Sequence, residues 1–176
     1  MEIVTIEEIR QYMTFRGQKW PNARDALAFA YQELGEAIEA FGTDFAIEMG
    51  DFVQMLSIVA VESGHEALKV VEGDVSLSTD GLPYVLNQII AHLGHINDGL
   101  MRMESGWVRN SEREVPIQRH LNLIEKELYR ITPFMNYLLA QKVSADSTVT
   151  IFNAPENSNP YRQALILKWA SKGFHL

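Results

Sequence analysis

Apolar residues recur along most of this chain at intervals of three and four, the period of an amphipathic helix rather than a strand. Thr5 and Glu8 form a capping-box pattern that opens a short helix running to about Met13. The stretch FRGQKWPN reads as a loop, and Asn22 caps a helix that ends near Phe41. On that helix Ala26, Leu27, Ala30, Leu34, Ala37, Ile38 and Phe41 form one apolar stripe. Gly42-Thr43-Asp44 turns the chain, with Asp44 or Thr43 as the next cap. A second stripe of Phe45, Met49, Phe52, Met55, Leu56 and Val59 follows, until Ser63-Gly64 closes the helix.

The remainder is also helical in outline. A short helix is expected around His65–Val71, then a loop-like GDVSLSTDGLP that is the best boundary candidate. Helices read from Pro83 to about Ser105 and from Pro116 to about Lys142, the latter kinked or interrupted at Thr132-Pro133. The segment SADSTVTIFNAPENSNP is irregular, with one short extended piece at Thr148–Phe152. Asn159 and Pro160 then open a last helix that Gly173 stops. The expected fold is all-α: a helical bundle around the hairpin of residues 1–73, with the helical residues 74–176 packed into the same bundle.

Two acidic pairs sit on that hairpin, Glu33-x-x-Glu36 and Glu48-x-x-Asp51. Glu33 flanks the first stripe and Glu36 lies roughly 60° further round. Glu48 projects into the second stripe, and Asp51 borders it. The bland reading is that all four are solvated helix charges. Against it, a carboxylate turned toward a core must be paired, protonated or bound to metal. Four carboxylates on facing helices repel one another unless a hard cation such as Mg²⁺ sits among them, with Mn²⁺ as the alternative.

The pair ELGE…EMGD, with an apolar run after each half, resembles the MazG-like all-α nucleoside triphosphate pyrophosphohydrolases and their dimeric dUTPase and dCTPase relatives. Their signature is E-x-x-E followed a dozen or more residues later by E-x-x-D, and the gap from Glu36 to Glu48 is short for it. The resemblance covers about Trp20 to Gly64. It implies Mg²⁺ ligation by Glu33, Glu36, Glu48 and Asp51, and hydrolysis of a (deoxy)nucleoside triphosphate to monophosphate and pyrophosphate. One glutamate would take the proton of the attacking water, Glu33 first and Glu36 second. The rival readings are a non-catalytic helical interaction protein with a remnant acidic site, and a pyrophosphohydrolase of a phosphoribosyl nucleotide.

Phe15, Arg16, Lys19, Trp20 and Arg24 mix cations with aromatics just before the acidic helix. Arg16, Lys19, Trp20 and Arg24 are the substrate-binding candidates, cations for phosphates and a flat ring for a base. The alternative is that Phe15 and Trp20 only staple the first helix to the bundle. Trp107 and Trp169 read as structural. No Walker A sequence or GxGxxG occurs, so carboxylate-held metal would have to grip the phosphates.

Sliding the chain by 59 positions sets Leu27, Leu34 and Gly35 on Leu86, Leu93 and Gly94, and places His92 and His95 opposite Glu33 and Glu36. A degenerate second copy would make the chain a tandem pseudo-dimer that closes its own core. Without one, the acidic hairpin needs a second subunit, and a homodimer is expected. His92-x-x-His95-x-x-Asp98 shares one helical face and could grip a transition metal. A metal-free pair of histidines at a helix interface is the preferred reading. Glu62-x-x-His65 spells a di-iron element, but Gly64 falls where the helix should end.

Composition narrows the classes. The 176 residues are 47% hydrophobic, enough for one sizeable core or two small helical units. A net charge of −8 argues against polymeric nucleic acid as partner, though not against a nucleotide substrate. No run approaches a membrane span, and MEIVTIEEIRQ lacks a secretory apolar core. With no cysteine in the chain, disulfides and thiolate metal sites are excluded, and a cytoplasmic location is expected.

Overall fold

A computed structural model describes residues 3–42, 44–69, 81–105, 117–145 and 159–176. Among them are six helices and no strand: α1 (Ile6–Phe15), α2 (Ala23–Glu39), α3 (Phe45–Glu62), α4 (Leu82–Ser105), α5 (Ile117–Ala145) and α6 (Pro160–Ser171). The molecule is an all-α helical bundle. The helix starts follow local chemistry. Thr5 and Glu8 complete a reciprocal capping box, and Asn22 and Asn159 accept backbone N–H groups at the starts of α2 and α6. Asp44 precedes α3 without a side-chain cap; its carboxylate pairs with Lys142 at 2.6 Å instead. Thr43, the other cap candidate, lies outside the described residues.

Helices α2 and α3 form the first hairpin, and α4 and α5 the second. The contacts α2–α3, α3–α5, α5–α4 and α4–α2 close a ring of four. Leu27, Leu34 and Leu56 share one buried core with Leu86, Leu93, Leu100 and Ile124, so side chains from both halves of the chain form a single interior. The ring closes within one chain. Ile38 departs from the expected packing: it is 41% exposed, as is Phe41 at 61%. Phe41, just past α2, packs its ring against Phe45 and Phe134.

One expected helix and one expected break are absent. The chain at 65–69 is not helical, because the positive φ of Gly64 (85°) turns it away and His65 closes the end of α3 by donating to the Ala60 carbonyl. In contrast, α5 runs unbroken through Pro133. Proline removes one N–H and crowds the preceding turn. There the Leu128 carbonyl receives the Thr132 hydroxyl (3.3 Å) and the buried Tyr161 hydroxyl (2.6 Å) of α6. The expected boundary loop falls largely, and the extended piece Thr148–Phe152 wholly, outside the described residues. No helix among them is long and apolar enough to cross a membrane.

Helix α6 lies in the groove of α3 and α5 and positions the site described next. Its closest approach is at Gly50, where an added Cβ would stand 3.0 Å from that of Ala164 and 3.3 Å from the Leu165 nitrogen. Only a glycine lets the two backbones come so near. Trp169 is buried, stacks on Tyr12 of α1 at 4.9 Å and donates its indole N–H to Gln54 of α3. Arg162 makes a two-pronged pair with Glu8, which ties α1 to α6.

Candidate metal centre

The antiparallel pairing of α2 and α3 brings the two acidic motifs together. Glu33, Glu36 and Glu48 each offer a carboxylate oxygen within 4.8 Å of the others. Glu33 and Glu48 are half-buried, whereas Glu36 is exposed and accepts a hydrogen bond from Gln32 at 2.9 Å. Glu48 stands in the first turn of α3, where the helix dipole favours a negative charge. Three hard oxygen donors from two rigid helices match what a hard divalent cation takes.

Asp51 is the deepest of the four, 9% exposed, and stands apart from that trio. A helical wheel ranks Glu48 deeper, because it cannot know that α6 covers α3 on the side of Asp51. The ammonium of Lys168 on α6 pairs with Asp51 and also donates to Glu48 at 3.3 Å. No local pattern in the sequence connects Lys168, 117 positions further on, with Asp51. The one signal was Gly50, a small residue amid the buried face of a helix, which marks a close crossing without naming its partner.

The ionisation of the group follows from this packing. The Glu33 carboxyl is pushed up to about 7, by burial first and then by the charges of Asp51, Glu36 and Glu48, with Lys168 opposing. Burial likewise raises Asp51, and the hydrogen bond and charge of Lys168 pull it back. For Lys168, burial disfavours the charge, yet Asp51 and then Glu48 outweigh it and hold the ammonium above its ordinary range. Lys168 is therefore a firmly charged cation inside an acidic cluster.

The expected substrate side is placed differently. The Trp20 indole N–H donates to Glu62 at 2.6 Å, and the Arg10 guanidinium lies over its ring at 4.0 Å. Glu62 ends α3, about 16 Å along the helix from Asp51. Arg24, on the first turn of α2 and about 13 Å along that helix from Glu33, pairs with Glu104 of α4 at 2.7 Å. The structure thus does not bring Trp20 or Arg24 to the carboxylates, since both lie at the opposite end of the hairpin. Lys19 is exposed beside Trp20. Arg16 is also exposed, just past the end of α1. Phe15 packs on Phe174, consistent with a staple between α1 and the end of α6.

The second hairpin carries histidines in place of glutamates. His92 and His95 of α4 meet His120 of α5, a residue that the sequence pattern did not connect with them. Asp98 turns instead to Arg102, at 2.9 Å. Comparison with protein-family models, with curated proteins and with solved structures finds no match.

Proposed function

We propose that this chain hydrolyses a (deoxy)nucleoside triphosphate to the monophosphate and pyrophosphate at the acidic end of α2 and α3. The observation that carries the reading is the convergence of Glu33, Glu36 and Glu48, on the spacing that resembles the MazG-like enzymes. These three residues would hold Mg²⁺, or Mn²⁺ in its place, with Asp51 beside them. When bound, the ion neutralises phosphate oxygens that otherwise repel a nucleophile.

The chain's own residues supply the rest. Glu33, the first candidate for the base, with Glu36 second, would accept a proton from the attacking water. The water oxygen bonds to the α-phosphorus as the bond to the bridging oxygen breaks and pyrophosphate leaves. Lys168 orients Asp51 and Glu48 through its two contacts. Arg16, exposed just past α1, is a candidate cation for the phosphates. Trp20 and Arg24 serve the packing of α1, α2 and α4 through Glu62 and Glu104.

One observation favours a second reading, a non-catalytic helical protein: Lys168 already partners two of the four carboxylates. A pyrophosphate-release assay with a panel of nucleotides and Mg²⁺ separates the two. Hydrolysis of at least one nucleotide is expected, reduced at least about a hundredfold in Glu33→Gln and Glu36→Gln. Absence of release across the panel supports the second reading.

A further inference from the structure

We propose that His92, His95 and His120 form a second, separate site for a divalent transition-metal ion, Zn²⁺ foremost, between α4 and α5. His92 and His95 are three residues apart and share one face of α4, and His120 faces them from α5. The Nδ1 atoms of His92 and His120 stand 3.2 Å apart. Two imidazole nitrogens at that spacing need a proton or a cation between them. A tetrahedral ion with bonds of about 2.0 Å sets its ligand nitrogens about 3.3 Å apart. Two of the three donors therefore already stand at ligand separation, and they come from different helices.

The third donor is near but turned. The His95 ring stacks on that of His120 with centroids 4.5 Å apart and planes 14° from parallel. A metal binds in the plane of an imidazole, so His95 must rotate about its side-chain bonds to join. It is exposed, and that rotation displaces no core residue. A fourth position is then left to water, the arrangement of three-ligand zinc sites.

Imidazole nitrogens suit Zn²⁺, Cu²⁺ or Ni²⁺ over Mg²⁺. The carboxylate trio has the opposite preference, so the two sites are distinguishable by metal. This site does not depend on the proposed hydrolysis.

The test uses the untagged full chain in saturating Mg²⁺, which occupies any carboxylate site. Co²⁺ should give the intense visible absorption of a tetrahedral nitrogen-ligated ion at one equivalent, and Zn²⁺ should abolish it by displacement. Zn²⁺ should also raise the melting temperature, since an ion bridging α4 and α5 binds only the folded chain. H120A and H92A should lose both responses. H95A, altered at an exposed position that leaves packing intact, should bind Zn²⁺ at least about tenfold more weakly. Zn²⁺ affinity unchanged in H95A, or a wild-type chain without tetrahedral Co²⁺ bands, would overturn the proposal.

Discussion

The two hairpins of the bundle gather like groups in different ways. Helices α2 and α3 bring three carboxylates together with Asp51 beside them, whereas α4 contributes two imidazoles and α5 one. Carboxylates that keep their charge repel one another, so their cluster needs a cation, and the chain threads Lys168 from α6 between Asp51 and Glu48. Imidazoles can shed the proton and stay neutral, so their cluster forms with no counter-ion among its ring contacts. The difference locates a dependence: the acidic end relies on the docking of α6, and the histidine end relies only on its own hairpin.

Removing the cation should have the largest effect on that contrast. Lys168→Met leaves Asp51 and Glu48 without their partner, and urea unfolding in metal-free buffer should show a loss of about 2–4 kcal/mol. Added Mg²⁺ should restore part of it, because the ion replaces the missing charge. A variant as stable as wild type would show that α6 is not the source of the balance.

A smaller effect is expected from the crossing point. Gly50→Leu forces α6 off α3, because the space there admits barely a methyl group. Thermal or urea unfolding should report a loss of about 1–3 kcal/mol, the usual scale of overpacking. The same substitution at Gly94 of α4, where no atom lies within 4 Å of an added Cβ, should be tolerated. Equal losses at both positions would remove the special role of the α3–α6 contact.

The smallest effect concerns the latch between α1 and α6. The hydrogen bond and charge of Arg162, first among the causes, hold Glu8 below the usual carboxylate range against some burial. A depressed carboxyl contributes stability that is present above its unfolded pKa and lost as pH falls through the folded value. Glu8→Gln should therefore cost about 1 kcal/mol at pH 7. The gap from wild type should close as pH drops below about 4.5, the unperturbed value. A gap independent of pH would mean that the loss is one of packing.

Much of this architecture was legible in the sequence, and the limits of legibility are physical. Apolar period and local caps gave the helices, since Thr5, Glu8, Asn22 and Asn159 act on backbone within three residues. The facing of Glu33, Glu36 and Glu48 followed from two helices joined by a short turn. What escaped depends on contacts between distant elements. Asp51 is deeper than Glu48 because α6 covers it, and neither Lys168 nor His120 has a local pattern that points to its partner. Trp20 and Arg24 carry the chemistry of a nucleotide site, yet acidic residues on α3 and α4 claim them.

The central claim is that Glu33, Glu36 and Glu48 form a divalent metal centre, and calorimetric titration of Mn²⁺ into the metal-free chain tests it most directly. A His92→Ala/His120→Ala background keeps the histidine cluster out of the measurement. The account predicts saturable binding in that background, abolished or weakened at least about tenfold by adding Glu48→Gln, with the helical circular dichroism unchanged. Mn²⁺ binding that is absent, or equally strong after Glu48→Gln, would contradict it.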